Sequence, residues 1–239
     1  MTETDAMNEE CGPVLLALAR ASIASAFGQS DSADRSAPWL RAKGACFVTL
    51  TLGQKLRGCV GNIETRRPLL DEVTAVARAA AFNDPRFLPL GADELESTRI
   101  EVSLLSALEP LPAGSEDEAL GRIRPHVDGL VLEWGRHRGT FLPQVWAALP
   151  DTRDFLCQLK LKAGLPHDFW SNEIRFYRYQ AAKWREPEPA RTAQRYLNTP
   201  KGDSPTFEQR IEHGLQVEGR ATNDLEHLGC CRLLLDRLI

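Results

Sequence analysis

The chain has 239 residues and carries 29 lysines and arginines against 33 aspartates and glutamates, a net charge of −4 that offers no general pull toward phosphate backbones. Hydrophobic residues make up 43% and charged residues 26%, the range of an ordinary globular chain, which excludes wholesale disorder. No stretch approaches the roughly 20 uninterrupted apolar residues of a spanning helix, and the opening from Met1 to Glu10 is polar and acidic. The expectation is a cytoplasmic protein with neither nucleic acid nor a membrane as its partner.

A first helix is expected to open at Pro13, with Leu15, Leu18, Ala19, Ser22 and Ala26 on one stripe and Gly28 as its stop. Gln29 to Ala37, rich in Ser and Asp, reads as a solvated loop before Pro38 and Trp39 re-enter the fold. The apolar, β-branched run from Ala45 to Leu52, the break at Gly53-Gln54 and the return from Lys55 to Gly61 predict a hairpin. Pro68 then starts a helix in which Leu69, Val73, Val76, Ala77 and Ala80 share a face, with Asp71, Glu72 and Arg78 on others. Asn83-Asp84-Pro85 ends it, because the residue before a proline is pushed out of the helical region.

Arg99 to Ser106 alternates Ile100, Val102 and Leu104 against Glu101, Ser103 and Leu105, the pattern of a largely buried strand. An acidic, proline-punctuated connector is expected from Glu109 to Asp117. A second hairpin follows, with a strand over 129–134, a basic turn over 135–139 and a return over 140–145. Asp151 caps a helix containing Phe155, Leu156 and Leu159, which Gly164 closes, and residues 172–181 supply one last aromatic strand. Strands and helices mix without strict alternation, which predicts an α+β fold with some antiparallel pairing.

After Trp184 the run REPEPAR breaks the composition, so a domain over residues 12–186 is expected, with 187–239 a loosely packed tail. Its last turns read as helical, Leu225, Leu228, Cys231, Leu235 and Leu238 lying near one stripe. The six cysteines, at 11, 46, 59, 157, 230 and 231, are too sparse for a disulfide framework and read as reduced thiols. His227 with Cys230 and Cys231 lacks the second half of a zinc site and reads as packing, so no metal is expected.

The most informative residues are Leu56-Arg57-Gly58-Cys59-Val60-Gly61. Gly44 to Leu50 precede them, and Asp84-Pro85-Arg86-Phe87, Glu101-Val102-Ser103 and Phe141-Leu142-Pro143-Gln144-Val145 follow. In that order the set resembles the AMMECR family, whose bacterial members are called AmmeMemoRadiSam system protein A. The resemblance runs from about Pro13 to Trp184; the family pattern most often has isoleucine where Val60 stands, and residues beyond Glu188 match nothing in it. It implies a larger mixed, partly antiparallel sheet flanked by helices, with a smaller α/β subdomain intertwined beside it. It also implies the company of a Memo-like protein and a radical SAM enzyme. It names no cofactor.

On an extended strand Arg57 and Cys59 share a face, and a guanidinium beside a thiol favours the thiolate, which is otherwise formed near pH 8.5. Cys59 is thus a candidate nucleophile and Arg57 an anion anchor. Gly58 and Gly61 let a ligand or another backbone come close. The competing reading is a core-filling cysteine between glycines that serve a bulge. His126, His137 and His167 are possible bases, none tied to Cys59 by spacing, and His137 is expected in the solvated turn of the second hairpin. Asp84 and Arg86 are expected to pair across their turn or to line a cleft, and Glu101, on a buried strand, needs a partner such as Arg57. No nucleophile elbow, phosphate loop, zinc helix or dinucleotide turn is present. Two functions stay open: an enzyme or enzyme component acting on a small molecule or protein-bound intermediate through Cys59, or a non-catalytic module gripping a partner through the same hairpin.

Overall fold

The computed structural model describes residues 3–187; the tail and the His227 group lie outside them. Helix α1 runs Glu3–Ala24, so Pro13 lies within it and not at its first turn: the ring withdraws one N–H from the ladder and the helix continues through it. A short 3-10 turn follows, and Gly28, at φ 77°, ends it in the left-handed region that glycine adopts without strain. The stretch Glu10–Phe27 is long and apolar enough by composition to cross a membrane, but its Leu15, Leu18, Ala19 and Ile23 are spent on the core.

Strands β1 (Ala45–Leu52) and β2 (Lys55–Gly61) form the expected hairpin. Helix α2 (Leu69–Phe82) follows, with Leu69, Val73, Val76, Ala77 and Ala80 buried as predicted. Glu72 departs from the expectation. It is buried as well, because Asn62 donates to it at 2.6 Å and Arg67 pairs with it at 2.7 Å. Strand β3 (Thr98–Leu105) pairs with β1. The connector after it is more ordered than expected: it contains β4 (Glu109–Leu111) and α3 (Glu116–Arg122), whose first turn is capped by the Ser115 hydroxyl.

In the second hairpin β5 (Gly129–Trp134) is met by β6 (His137–Phe141), so His137 and Arg138 belong to a strand and the turn is shorter than predicted. Helix α4 (Thr152–Lys162) starts where Asp151 accepts from the N–H groups of Arg153 and Asp154. The single aromatic strand expected over 172–181 is two, β7 (Arg175–Tyr179) and β8 (Ala181–Arg185). They belong to different sheets. Gln180, between them, exchanges hydrogen bonds with Ser106 at the corresponding crossing point of the neighbouring chain segment.

The result is an α+β fold of two four-stranded sheets, ordered β2-β1-β3-β8 and β4-β7-β5-β6, with every pairing antiparallel. Helices α1 and α2 cover one face of the first sheet, where Val48, Leu50, Ile100 and Val102 are buried. Part of the opposite face meets the second sheet: Ala45, Phe47 and Leu105 pack against Val131, Leu142 and Tyr179. Burial of this kind contributes about 25 cal/mol for each Å² of apolar surface removed from water, so both faces of the first sheet are held by substantial apolar contact.

Candidate functional site

The face of the first sheet that meets the second sheet can be read row by row across its strands. Nearest the seam stand Ala45, Leu105 and Ala181; next come Gly61, Phe47, Ser103 and Lys183. The following row is Cys59, Thr49, Glu101 and Arg185, and beyond it lie Leu56, Thr51 and Arg99. The rows change from apolar to polar as they leave the seam. Cys59 stands at the change, half-buried against the seam cluster on one side and beside Thr49 and Glu101 on the other.

Two side chains fix the cysteine's backbone. Its N–H donates to Asp84 Oδ2 at 2.8 Å, and its carbonyl accepts from Arg86 Nη2 at 3.3 Å. Strand β2 is an edge of its sheet, so these are groups that a further strand would otherwise satisfy. The Asp84–Arg86 ion pair expected from the sequence is present, with Nη2 to Oδ2 at 2.8 Å and Nε to Oδ1 at 3.0 Å. Burial raises the Asp84 carboxyl, but hydrogen bonds from Arg86 and the Cys59 N–H outweigh it and hold the group below the usual carboxylate range.

Arg57 does not stand beside the thiol. Leu50 pairs with Gly58 and Thr51 with Leu56, which leaves Arg57 as the extra residue of a β-bulge and breaks the two-residue alternation that would align it with Cys59. Its guanidinium instead forms a paired contact with Glu94, at 2.8 Å for both Nε and Nη2, and donates to the carbonyls of Leu88 and Pro89. The cation that acts on the thiol is Arg86. Glu101 is likewise not held by Arg57; its partners are Lys183 at 3.2 Å and Arg185 at 3.1 Å, both from β8.

The glycines are explained by packing. A Cβ on Gly58 would stand 2.1 Å from the Ala80 carbonyl oxygen, so β2 approaches α2 only because no side chain is there. A Cβ on Gly61 would stand 2.3 Å from the Phe47 ring, which leans over it toward the seam. Neither position leaves its space to a ligand. His137 is far from this chemistry in its contacts: Nδ1 meets the Ala163 carbonyl at 3.0 Å and the ring stacks on Trp134. A cavity of about 580 Å³ lies beside that tryptophan, lined by Glu133, Trp134, Asn172 and Arg175, and shares no residue with the Cys59 row.

Burial pushes the Cys59 thiol above its ordinary value; the Thr49 hydroxyl, 3.2 Å from Sγ, and Arg86 pull it down without cancelling the rise, while Asp84 and Glu101 add to it. The resting group is therefore a neutral thiol, contrary to the thiolate that an adjacent arginine implied. It can accept or donate a hydrogen bond, and becomes a nucleophile on losing its proton. Sequence reasoning missed Thr49, Lys183 and Arg185. The alternation in residues 48–51 and the Lys-Trp-Arg spacing in β8 placed them on one face, but their meeting depends on the order of four strands. Among the described residues no group of three or more His, Cys, Asp or Glu side chains is arranged to hold a metal ion.

Fold and site together define an α+β domain in which two antiparallel sheets meet over part of one face and leave a thiol-bearing polar strip beside the seam. The AMMECR1 family model matches residues 16–184, and the chain belongs to that family. It is 43% identical over 150 residues to a protein of Methanothermobacter thermautotrophicus, covering 61% of this chain and 77% of the relative. Protein MJ0810 of Methanocaldococcus jannaschii is 39% identical over 155 residues, covering 62% of this chain and 75% of the relative. The crystal structure of uncharacterized protein PH0010 from Pyrococcus horikoshii is similar to the fold with a TM-score of 0.67 and 32% identity, over 75% of this chain and 93% of that one.

Proposed function

We propose that this chain is a thiol-dependent enzyme or enzyme component, acting on a small polar molecule or a polar group of a protein-bound intermediate laid on the strip, with Cys59 as the reacting residue. The observation that carries the reading is the row itself. A half-buried sulfur, a hydroxyl at 3.2 Å and a carboxylate with two cationic partners stand in register on a sheet face whose neighbouring part is sealed by apolar contact. Packing accounts for Gly58 and Gly61 and the bulge accounts for Arg57, whereas neither needs Cys59 beside Thr49 and Glu101. The thiol enters neutral and must lose its proton before the sulfur reacts. Free Cys11, Cys46, Cys59 and Cys157 suit a reducing cytoplasm.

Alkylation by iodoacetamide across pH, read by peptide mass mapping, tests this. Cys59 should be modified ahead of buried Cys46 and Cys11, with a midpoint above the ordinary thiol value. A Cys59 as inert as Cys46 would remove the reacting role.

The non-catalytic reading has its own observation. Leu88 is 75% exposed on the turn beside the site, and Arg57 clamps its carbonyl and that of Pro89, so an apolar knob is presented on a fixed support. Its partners would be the Memo-like and radical SAM proteins that the family resemblance suggests. Loss of their co-purification in Leu88→Glu, with capture intact in Cys59→Ser, would favour this reading over chemistry.

A further inference from the structure

Resting on the thiol reading above, we infer that the strip takes an elongated substrate with an oxyanion, a carboxylate or phosphate, at one end, held by Lys183 and Arg185 while its other end lies over Cys59. Glu101 is one carboxylate between two cations, and Lys183 also donates to a neutral amide, Gln144 Oε1, at 3.0 Å. The three charged groups therefore carry one surplus positive charge. It faces outward: the side chains of Lys183 and Arg185 are 40% and 44% exposed, whereas Glu101, beneath them, is 13% exposed. A carboxylate under two cations orients their stems and leaves the remaining donors of the ammonium and guanidinium directed at what lies on the sheet.

Register then sets the length. Cys59, Thr49, Glu101 and Arg185 occupy successive strands. At about 4.8 Å per strand, the backbone at Glu101 lies about 10 Å from the cysteine and that at Arg185 about 14 Å, with the two cationic heads reaching back over Glu101. A compact anion held there would not reach the sulfur. An extended molecule would span Thr49, whose hydroxyl is the polar group midway, and bring its reacting atom to the boundary of the apolar seam. That boundary suits a reacting end less polar than the anchored one.

The test uses the full chain and two pairs of alkylating reagents, each an anion with its neutral amide: ω-bromooctanoate with ω-bromooctanamide, and bromoacetate with bromoacetamide. In each case Sγ forms a bond to the brominated carbon, bromide leaves and the thiol proton goes to solvent. The long anion should label Cys59 about tenfold faster than its amide, the gain expected of a charge-assisted contact, while the short pair shows no such preference. Acetate or inorganic phosphate, whichever headgroup the site takes, should slow the long anion and leave its amide unaffected. The preference should disappear in Lys183→Gln with Arg185→Gln and persist in Lys183→Arg with Arg185→Lys. Equal rates for the long anion and its amide, or a preference that survives the glutamine variant, would overturn the inference while leaving Cys59 reactive. If neutral reagents fail to label Cys59, it is the thiol reading that falls.

Discussion

Alternate residues of the same four strands build the two faces of the first sheet, and they meet opposite surroundings. Toward the helices stand Val48, Leu50, Val60, Ile100, Val102 and Trp184, packed under α1 and α2. On the other face stand Thr49, Cys59, Glu101, Lys183 and Arg185, beside a seam formed by Ala45, Phe47 and Leu105. The helix face admits no additional atom at Gly58 and buries Val48, Leu50, Ile100 and Val102 completely, with Val60 and Trp184 partly covered, as stability alone requires. The opposite face places ionic and hydroxyl groups in the middle of a sheet, where apolar side chains under the second sheet would have been the simpler way to gain stability. The contrast separates residues that hold the domain together from residues available for chemistry, and on β2 the two sets stand side by side, Cys59 between Gly58 and Val60.

The sharpest way to break this division is at Gly58. Gly58→Val puts a branched side chain against the Ala80 carbonyl oxygen, a backbone atom that cannot rotate aside. Overpacking at such a site costs about 3 kcal/mol, so the urea midpoint should fall steeply or the domain should fail to fold. The same variant cannot separate partner binding from chemistry, because its primary effect is on folding. A midpoint unchanged from the parent would mean that β2 can move away from α2 and that the helix face is less closely packed than the contacts require.

Asp84 connects the two sets, since it is almost completely buried, pairs with Arg86 and holds the Cys59 N–H. Asp84→Asn should cost about 2 kcal/mol, less than the loss of a fully buried pair because the Arg86 side chain keeps about a third of its exposure. The pH dependence has a definite sign. The folded carboxyl lies below its ordinary value, so its contribution is present above the unfolded value of about 3.9 and is lost as pH falls through the folded one. Urea titrations through that acid window should show a smaller pH slope for Asp84→Asn than for the parent. An identical slope would mean that other carboxylates, such as Glu94 beside Arg57, carry the acid sensitivity.

Local patterns made much of this legible. The first hairpin and α2 lie where alternation, a glycine break and a proline start place them, and Asp151 caps α4 as its spacing predicts. What escaped reading depends on pairing. The aromatic run toward Ala181 looks continuous, yet at Gln180 the chain leaves one sheet for the other, and nothing local to that residue announces the change. Cys59, Asp84 and Arg86 could be singled out in one neighbourhood of sequence. Lys183 and Arg185 could not, because they join the row only through β3. Arg57 misled for the same reason: a bulge is a relation between two strands, and the period of two holds only where the register is unbroken.

The smallest predicted effect is the most direct test of which arginine belongs to the thiol. Arg86 lies close enough to favour the charged form of Cys59, and its removal also leaves the Asp84 charge less compensated; both changes push the thiol upward. Arg57, engaged with Glu94 and two carbonyls, exerts no comparable influence. The pH midpoint of Cys59 alkylation should therefore rise in Arg86→Gln and stay in place in Arg57→Gln, even though the second variant loses stability as Glu94 is left without its partner. A raised folded value also means that stability is complete below the ordinary thiol value and declines as pH rises through the folded one, so the alkaline limb of a urea titration should move with the alkylation midpoint. If instead Arg57→Gln shifts the midpoint and Arg86→Gln does not, the bulge fails to separate Arg57 from the thiol, and the division between supporting and chemical residues on β2 must be redrawn around it.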